Sequence, residues 1–242
     1  MADILNVEHL SKFYGKKHVV KDVSFTMESG EITGLLGPNG AGKTTSFYMI
    51  VGFIKSNGGR ILINGNDITS LPMHKRSRMG LAYLPQEASI FRKLTVEDNI
   101  KMILEANKGM SRKERSIMLE DLIERFGIGK VRKQMGYTLS GGERRRTEIA
   151  RALATNPKFL LLDEPFAGID PKAVYEIKQI IRQLSYDGIG VLLTDHNVRD
   201  TLEITTRAHI ISDGLIIVSG SREELLSNQM AKEIYFGETF ER

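Results

Sequence analysis

The sequence contains no cysteine. This absence excludes disulfide bonds and metal sites built on thiolates. The longest apolar runs, such as FLLL and LIIV, are far shorter than the roughly 18 apolar residues that a membrane-spanning helix requires. The N-terminal stretch MADILNVEHL has neither the basic region nor the long apolar region of a signal peptide. We therefore expect a cytosolic protein, which acts at a membrane only through another chain.

The chain also lacks a large excess of charge of either sign. It has 34 Lys and Arg against 30 Asp and Glu, which gives a net charge of +4, and its pI is 9.2. This mildly basic balance permits an acidic partner without requiring one. A length of 242 residues suffices for one sizeable core, so we expect a single domain with an insertion.

Short apolar runs dominate the rest of the pattern. The alternation in VSFTMESG, with Val23, Phe25 and Met27 apolar, predicts a half-buried strand at an antiparallel edge. A buried helix, TTSFYMIVGFI, and an amphipathic crossover helix around Ile177 and Ile181 separate further strands. Together these elements predict an α/β fold. The short apolar run ITGLLG ends on a glycine. Three further apolar runs end in polar residues, as buried parallel strands do; they are GLAYLPQ, KFLLLDEP and GIGVLLTDH.

Turn and cap signals mark the remaining elements. Asn64-Gly65 and Asp213-Gly214 each predict a hairpin turn between apolar runs. Ser221 and Glu224 form a capping-box pattern that opens a last helix, and Gly237 is a candidate to end it.

The region from about Thr95 to Ala154 interrupts the alternation of strands and helices. It contains three helical patterns in succession, TVEDNIKMILEA, SRKERSIMLEDLIERFG and GERRRTEIARALA. Two of them open with box-like pairs, Thr95/Asp98 and Ser111/Glu114. We expect a helical subdomain over about residues 87–156, inserted into a core formed by about residues 1–86 and 157–242.

The stretch GPNGAGKTT matches the phosphate-binding pattern G-x-x-x-x-G-K-[ST] and lies between an apolar strand and a helix, as that motif requires. Its glycines let backbone N–H groups point at phosphate oxygens, and the helix start adds partial positive charge. Lys43 would reach the β- and γ-phosphates, while Thr44 would face Mg²⁺. A plain glycine-rich turn has no use for these residues, so the stretch predicts a nucleoside triphosphate site. The predicted nucleotide contacts are Gly37, Pro38, Asn39, Gly40, Ala41, Gly42, Lys43, Thr44 and Thr45.

Acidic residues end the strand pattern FLLLDEP. Two buried acids are costly unless they have a function. Asp163 is suited to hold Mg²⁺, and Glu164 is suited to accept a proton from the water that attacks the γ-phosphate. Because Pro165 is permitted at a first helical position, one acid could instead cap a helix, which leaves the other unexplained.

A further strand pattern, LLTDH, delivers Asp195 and His196 to the end of its strand. His196 could hydrogen-bond the γ-phosphate. A single histidine is more often structural, and the residues alone leave the two interpretations equal.

The stretch LSGGE resembles the signature of the ATP-binding cassette (ABC) family. The other motifs follow in that family's order along essentially the whole chain: GPNGAGKTT, LPQ with Gln86, LSGGE, LLLDEP, AGID ending at Asp170, and His196. The resemblance implies a P-loop NTPase with a RecA-like core, an antiparallel β subdomain and an inserted α-helical signature subdomain. It implies ATP and Mg²⁺ as ligands.

The family resemblance also assigns roles to individual residues. It implies catalytic roles for Glu164, His196 and Gln86, and Mg²⁺ contacts from Thr44, Gln86 and Asp163. An adenine platform is expected near the first strand, where Tyr14 is the candidate and Phe13 competes with it. The signature residues would bind the γ-phosphate of a nucleotide held by a second copy, which implies a homodimer; they are Ser140, Gly141, Gly142 and Glu143. Ser140 and Glu143 also form a capping-box pattern, and both roles can hold together.

The family includes transporter motors and soluble ATPases. A motor needs a surface for a membrane partner, and the segment after Gln86 offers Ile90, Phe91 and Arg92. Phe91 is alternatively a core residue of the helical subdomain. Soluble members that act on the ribosome or in DNA repair carry two cassettes or a long coiled coil, which this sequence lacks. The basic run ERRR has no interleaved aromatic residues, so we interpret it as a solvated face and expect no nucleic-acid partner.

Longer phrases resemble the ATPases of bacterial lipopolysaccharide export systems; they are YLPQEASIFRKLTVEDNI, LLLDEPFAGIDP, LLTDHNVR and YFGETF. The resemblance implies two integral inner-membrane permease subunits as partners, with this chain peripheral on the cytoplasmic face. The ATPases of branched-chain amino-acid importers are the alternative. Both groups share Glu143 where most of the family has glutamine.

Overall fold

The computed structural model describes residues 2–236. The strands are β1 (Ile4–Tyr14), β2 (Lys17–Glu28), β3 (Ile32–Leu36), β4 (Gly58–Ile63), β5 (Asn66–Asp67), β6 (Leu81–Leu84), β7 (Phe159–Asp163), β8 (Gly190–Thr194), β9 (Arg207–Ser212) and β10 (Leu215–Gly220). The α-helices are α1 (Lys43–Val51), α2 (Met73–Arg78), α3 (Val96–Ala106), α4 (Arg112–Arg125), α5 (Gly141–Leu153), α6 (Pro171–Tyr186), α7 (Val198–Ile204), α8 (Arg222–Ser227) and α9 (Gln229–Ala231), and a π-helical turn covers Lys232–Phe236.

The strands form one ten-stranded sheet in the order β5-β4-β1-β2-β10-β9-β3-β8-β7-β6. From β9 to β6 all neighbours pair in parallel, whereas β1, β2, β4 and β5 pair antiparallel. Every residue of β3, β7 and β8 is buried, as expected for parallel strands covered on both faces. The predicted α/β class and the buried parallel strands are confirmed.

The prediction that VSFTMESG lies at a sheet edge is wrong. Strand β2, which contains it, lies between β1 and β10, because Leu215 of β10 pairs in parallel with Asp22. The predicted alternation is nevertheless present, since Val23, Phe25 and Met27 are buried between exposed residues. Strand β10 therefore joins the two parts of the sheet, with β2 as its parallel neighbour and β9 as its antiparallel neighbour.

The predicted turns and caps are present. Asn64 and Asp213 both have positive φ and are each followed by a glycine of positive φ, as two-residue hairpin turns require. Ser111, Ser140 and Ser221 each complete a capping box, and the Thr95 side chain accepts from the Asp98 N–H. The predicted last helix is observed as α8, which ends at Ser227, followed by the shorter α9 and the π-helical turn. Gly237 lies outside the described residues.

The region between β6 and β7 contains α3, α4 and α5, so the three predicted helices are confirmed. Their apolar sides join those of Leu160 and Leu162 of β7 and Ile177 of α6 in one cluster. The neighbouring β7 residues Phe159 and Leu161 belong to a second cluster, which contains α1 and the antiparallel strands. Alternate residues of β7 thus face opposite sides of the sheet. The subdomain boundaries at residues 86 and 157 stay a prediction.

Within residues 2–236, no helix combines the length and the apolar character needed to cross a membrane.

A buried arginine joins the phosphate-loop helix to the antiparallel part of the fold. Arg76 of α2 is 2% exposed, and its guanidinium donates to four backbone carbonyls. The acceptors are Met49 and Ile50 (both 2.6 Å), Thr69 (2.7 Å) and Leu71 (2.8 Å). Met49 and Ile50 lie in the last turn of α1, whose carbonyls lack intrahelical partners. Arg76 therefore fixes the end of the helix that begins at the phosphate loop.

We expect Arg76→Met to lower the free energy of unfolding by about 3 kcal/mol or more, because each buried carbonyl left unpaired costs roughly 1–3 kcal/mol. Urea denaturation measures this value. Arg78→Met is the matched control, because Arg78 is exposed on the same helix, and it should stay within about 0.5 kcal/mol of the parent. Equal stability of the two variants would contradict the structural role of Arg76.

Candidate functional site

The phosphate-binding motif lies between β3 and α1, as predicted. Gly42 is the N-cap of α1 with φ 109°, and no side chain caps the helix there, so the N–H groups of the first turn are left for a ligand. Gly37 has φ 153°, and a Cβ at this position would lie 2.0 Å from the Ile211 carbonyl oxygen. Only glycine fits where the loop passes β9. Of the remaining motif residues, Asn39, Gly40 and Thr44 are exposed, Pro38 and Thr45 are half-buried, and Ala41 is buried.

Lys43 is 8% exposed, and its ammonium group is held within the phosphate loop. Its Nζ donates to the carbonyl oxygens of Gly37 (2.6 Å) and Pro38 (3.0 Å). Burial lowers the pKa of Lys43, and the negative charges of Glu164 and Asp163 oppose that change. The ammonium group of Lys43 therefore lies close to two acids, and phosphate oxygens can replace the two carbonyls as its partners.

The two acids occupy the carboxyl end of β7. Asp163 is 3% exposed, and burial raises the pKa of its carboxyl, while the hydroxyl of Tyr83 donates to Oδ2 at 3.2 Å and opposes the rise. Glu164 has φ 47°, a left-handed conformation that costs roughly 1–3 kcal/mol for a residue other than glycine. Its N–H donates to the carbonyl of Thr194 at 2.8 Å. The neighbouring strand β8 thus fixes the strained residue.

The structure brings Glu164, His196 and Gln86 together. His196 Nε2 lies 2.7 Å from Glu164 Oε1, and Gln86 Nε2 donates to Glu164 Oε2 at 2.6 Å. Because an ionised carboxylate only accepts hydrogen bonds, this contact requires the proton of a neutral His196 on Nε2. Glu164 is 12% exposed on its side chain and His196 is 56% exposed, so the acid is shielded while the imidazole is open to solvent.

Asp195 connects the two loops that carry Glu164 and His196. It is 4% exposed, and its carboxylate accepts from the N–H groups of Phe166 (3.0 Å) and Asn197 (2.9 Å). Burial raises the pKa of Asp195, and these backbone donors oppose the rise. The sequence places Asp195 at a strand end but gives it no role; the structure identifies it as the link between the loops.

The interpretation of ERRR as a solvated face is wrong. Arg145 is 6% exposed and donates to the carbonyls of Pro85 (2.9 Å), Asp163 (3.2 Å) and Glu164 (3.3 Å). It thereby joins the signature helix to the acids and to the segment that leads to Gln86. The burial of Arg145 could have been predicted from the sequence, because positions 142, 145, 149 and 153 recur on one helix face, and all four residues are buried.

The signature residues form the start of α5. Ser140 accepts from the N–H of Glu143 at 3.3 Å, and the Glu143 carboxylate accepts from the N–H of Ser140 at 2.9 Å. A Cβ on Gly142 would lie 2.8 Å from the Cβ of Ala173, so this glycine permits close packing on α6. A Cβ on Gly141 would lie 3.2 Å from Ile169. Among the contacts of the described residues, none joins these four residues to the phosphate loop of the same chain.

The two candidate aromatic residues at the end of β1 differ in their surroundings. Phe13 stacks on His18 with ring centroids 3.8 Å apart and an interplanar angle of 10°, so one of its faces is already covered. Tyr14 is 49% exposed, with the ammonium of Lys12 5.5 Å from its ring centre. Phe13 is 44% exposed, so exposure alone does not separate the two rings. Tyr14 is the better candidate to stack on a base because, among the residues that the structure describes, no aromatic ring already covers one of its faces.

The segment after Gln86 is exposed only in part. Ile90 is 7% exposed and packs in the core, so the expectation that it belongs to a docking surface is wrong. The N–H of Ile90 donates to the buried carboxylate of Glu148 at 3.1 Å, which holds this stretch against α5. Phe91 is 47% exposed, so its alternative interpretation as a core residue is wrong, and Arg92 is exposed as well.

The metal site expected from the sequence uses mixed oxygen donors. Within residues 2–236, no group of three or more His, Cys, Asp or Glu side chains is placed to hold a metal ion. Asp163, Thr44 and Gln86 offer a carboxylate, a hydroxyl and an amide oxygen, which suit Mg²⁺ completed by phosphate oxygens. The donor chemistry fits the ion only together with a nucleotide.

Comparisons with known proteins give the family of the chain. A family profile described as "ABC transporter" matches residues 20–167. The lipopolysaccharide export system ATP-binding proteins of Haemophilus influenzae and Escherichia coli K12 are each 54% identical to the chain, over 237 and 236 residues and 98% of both chains. The protein of the same name from Acidithiobacillus ferridurans is 51% identical over the full length of both chains.

A solved structure, the ADP conformation of an ATP-binding cassette of an ABC transporter, superposes with a TM-score of 0.86 at 29% identity, covering 98% of this chain and 99% of that one. The predicted nucleotide-binding cassette fold is therefore confirmed. The chain belongs to the ABC transporter family, as one of its ATPase subunits.

Proposed function

We propose that this chain is the ATPase of a lipopolysaccharide export transporter, in which ATP binding and hydrolysis drive a separate membrane permease. The substrate assignment rests on the 54% identity with lipopolysaccharide export ATP-binding proteins over 98% of both chains. The phrases YLPQEASIF and LLTDHNVR point to the same substrate. The chemistry rests on the cluster of Lys43, Glu164, His196 and Gln86.

Nucleotide phosphates would replace the loop carbonyls as partners of Lys43. The uncapped N–H groups at the start of α1 bind the same oxygens, and a base stacks on Tyr14. Asp163, Thr44 and Gln86 would hold Mg²⁺, which would neutralise charge on the phosphates. The strong burial of Lys43 and Asp163 supports this arrangement, because a dry site strengthens charge interactions.

Glu164 is the general base. Its carboxylate takes a proton from the attacking water, which then bonds to the γ-phosphorus as the bond to the leaving ADP oxygen breaks. His196 and Gln86 hold the two carboxylate oxygens, so the base has a fixed orientation before the water arrives. His196 would contact the γ-phosphate beside this base once a nucleotide is bound.

A second copy of the chain completes the site. Ser140 and the N–H groups of Gly141 and Gly142 lie at the start of α5 with no described contact to the phosphate loop of their own chain. Their helix start favours an anion. We therefore place the γ-phosphate held by one copy against the signature of the other, in a homodimer that encloses two nucleotides.

Phe91 and Arg92 form the contact with the permease. Arg151 lies over the Phe91 ring at 5.2 Å, and Asn99 accepts from the Phe91 N–H at 2.8 Å. An exposed apolar ring on a backbone fixed in this way suits a docking surface. Two integral inner-membrane subunits would bind the homodimer, with this chain peripheral on the cytoplasmic face.

The test is to trap tagged Glu164→Gln protein with ATP in its native membranes and to identify by mass spectrometry what co-purifies. We expect two lipopolysaccharide-export permease subunits. An amino-acid permease would overturn the substrate while leaving the ATPase chemistry intact, and the absence of any membrane partner would overturn the transport role.

The docking surface is tested in the same preparation by Phe91→Ala. We expect recovery of the permease to fall about tenfold, which corresponds to a loss of about 1.4 kcal/mol in binding. ATP binding should stay unchanged. Ile117→Ala is the matched control, because Ile117 is 60% exposed on α4. Equal recovery with both variants would move the docking surface elsewhere.

A further inference from the structure

A buried lysine joins two helices next to the catalytic cluster. Lys178 of α6 has a side chain that is 7% exposed, and its Nζ lies 2.6 Å from Asp200 Oδ1 and 2.5 Å from Glu203 Oε2. Both acids belong to α7. A buried ammonium is costly unless it is paired and hydrogen-bonded, and here two carboxylates from one neighbouring helix supply the pairing. Lys178 therefore fixes α7 against α6.

The start of α7 leads directly to His196. Asn197 is the N-cap of α7, and its Oδ1 accepts from the N–H of Asp200 at 3.1 Å. The Nδ2 of Asn197 donates in turn to the carboxylate of Asp200. Asp200 thus contacts Lys178 with one oxygen and Asn197 with the other.

Asp195, the residue before His196, is fixed by a separate set of contacts. The N–H of Asn197 donates to Asp195 at 2.9 Å, and Asp195 also accepts from the N–H of Phe166, two residues after Glu164. Both chain neighbours of His196 are therefore fixed, one through Asp195 and the other through the link from Lys178. A displacement of α7 would move the imidazole relative to Glu164.

A second cation on α6, Arg182, offers a control that distinguishes the link through Lys178 from simple packing of α6 on α7. Arg182 lies one turn after Lys178 and contacts Glu203, with Nη2 3.0 Å from Oε1 and 3.3 Å from the backbone carbonyl. Lys178 is the cation that contacts both carboxylates. Removing Arg182 therefore weakens the contact between α6 and α7 but leaves the link from Lys178 through Asp200 to Asn197 intact.

We propose that Lys178 is a positioning residue for His196, acting through Asp200 and Asn197 to hold the imidazole on Glu164. The inference rests on the catalytic roles proposed above for His196 and Glu164. Lys178 itself touches neither of them. Its effect should therefore fall on the chemical step and not on nucleotide binding.

Steady-state ATP hydrolysis by the full chain tests this role. We expect Lys178→Met to lower kcat about tenfold while KM for ATP stays within about twofold, because a displacement of about 1 Å can cost up to 10²-fold in rate. Lys178→Arg should recover most of the lost rate. Arg182→Met is the matched control, with kcat within about twofold of the parent. Parent-like kcat in Lys178→Met, or equal losses in Lys178→Met and Arg182→Met, would overturn the proposal.

A double-mutant cycle tests whether the effect passes through His196. In a His196→Ala background, Lys178→Met should lower kcat by less than about twofold further, whereas multiplying losses would mean independent roles and would overturn the proposal. If Lys178→Met does not fold, as judged by thermal melting, Asp200→Asn breaks the same ion pair from α7 and carries the same expectations. Parent-like kcat in His196→Ala would instead refute the role of His196 in the proposed function, and the inference with it.

Discussion

Glu164→Gln should bind ATP as the parent does and hydrolyse it about 10²-fold or more slowly. Glutamine keeps the volume of the side chain and one carbonyl oxygen, but its amide has no basic oxygen to take a proton from water. His196 and Gln86 both contact the carboxylate of Glu164, so the substitution removes the proton acceptor that these two side chains orient. Single-turnover hydrolysis of radiolabelled ATP measures the rate, and filter binding measures the affinity.

The control for this result is Glu105→Gln, the same chemical change on an exposed residue of α3. Its rate should match the parent. Unchanged turnover in Glu164→Gln would refute the role as general base. A comparable loss of ATP binding would show that the acid acts on the ground state, because uniform binding losses raise KM without lowering kcat.

The contiguous motifs were predictable because the backbone itself sets their spacing. A strand, a glycine-rich turn and a helix place Lys43 over the phosphate loop wherever the rest of the chain lies. The same holds for the acids at the end of β7, since a buried strand delivers its last residues to one edge of the sheet. The capping boxes at Ser111, Ser140 and Ser221 each depend on two residues three positions apart and are all present.

Contacts between distant segments could not be predicted, because no local spacing specifies them. The sequence gives no indication that Arg145 reaches three carbonyls from two other segments. Ile90 and Phe91 are adjacent apolar residues, yet one is 7% and the other 47% exposed, since Glu148 and Asn99 fix the backbone between them. Contacts with other residues therefore decide which of Ile90 and Phe91 faces solvent. For Ile90 the partner, Glu148, is 58 residues away in the sequence.

Lys43→Met should weaken ATP binding about 10²-fold, as measured by equilibrium dialysis with labelled nucleotide. The substitution keeps the aliphatic stem and removes only the ammonium group. A hydrogen bond to a charged group contributes roughly 1.5–3 kcal/mol, and each 1.4 kcal/mol is about a factor of ten in Kd. The ammonium of Lys43 is buried beside two acids, so without it the phosphates would meet the charges of Asp163 and Glu164 with less compensation.

The two largest effects are therefore expected to differ in kind, although Lys43 and Glu164 are close enough for their charges to interact. Loss of the cation acts on binding, and loss of the base acts on turnover. Lys108→Met, at an exposed lysine after α3, controls for the change in net charge and should bind ATP as the parent does. If Lys43→Met also bound ATP normally, the ammonium would not contact the phosphates, and its two loop carbonyls would be its permanent partners.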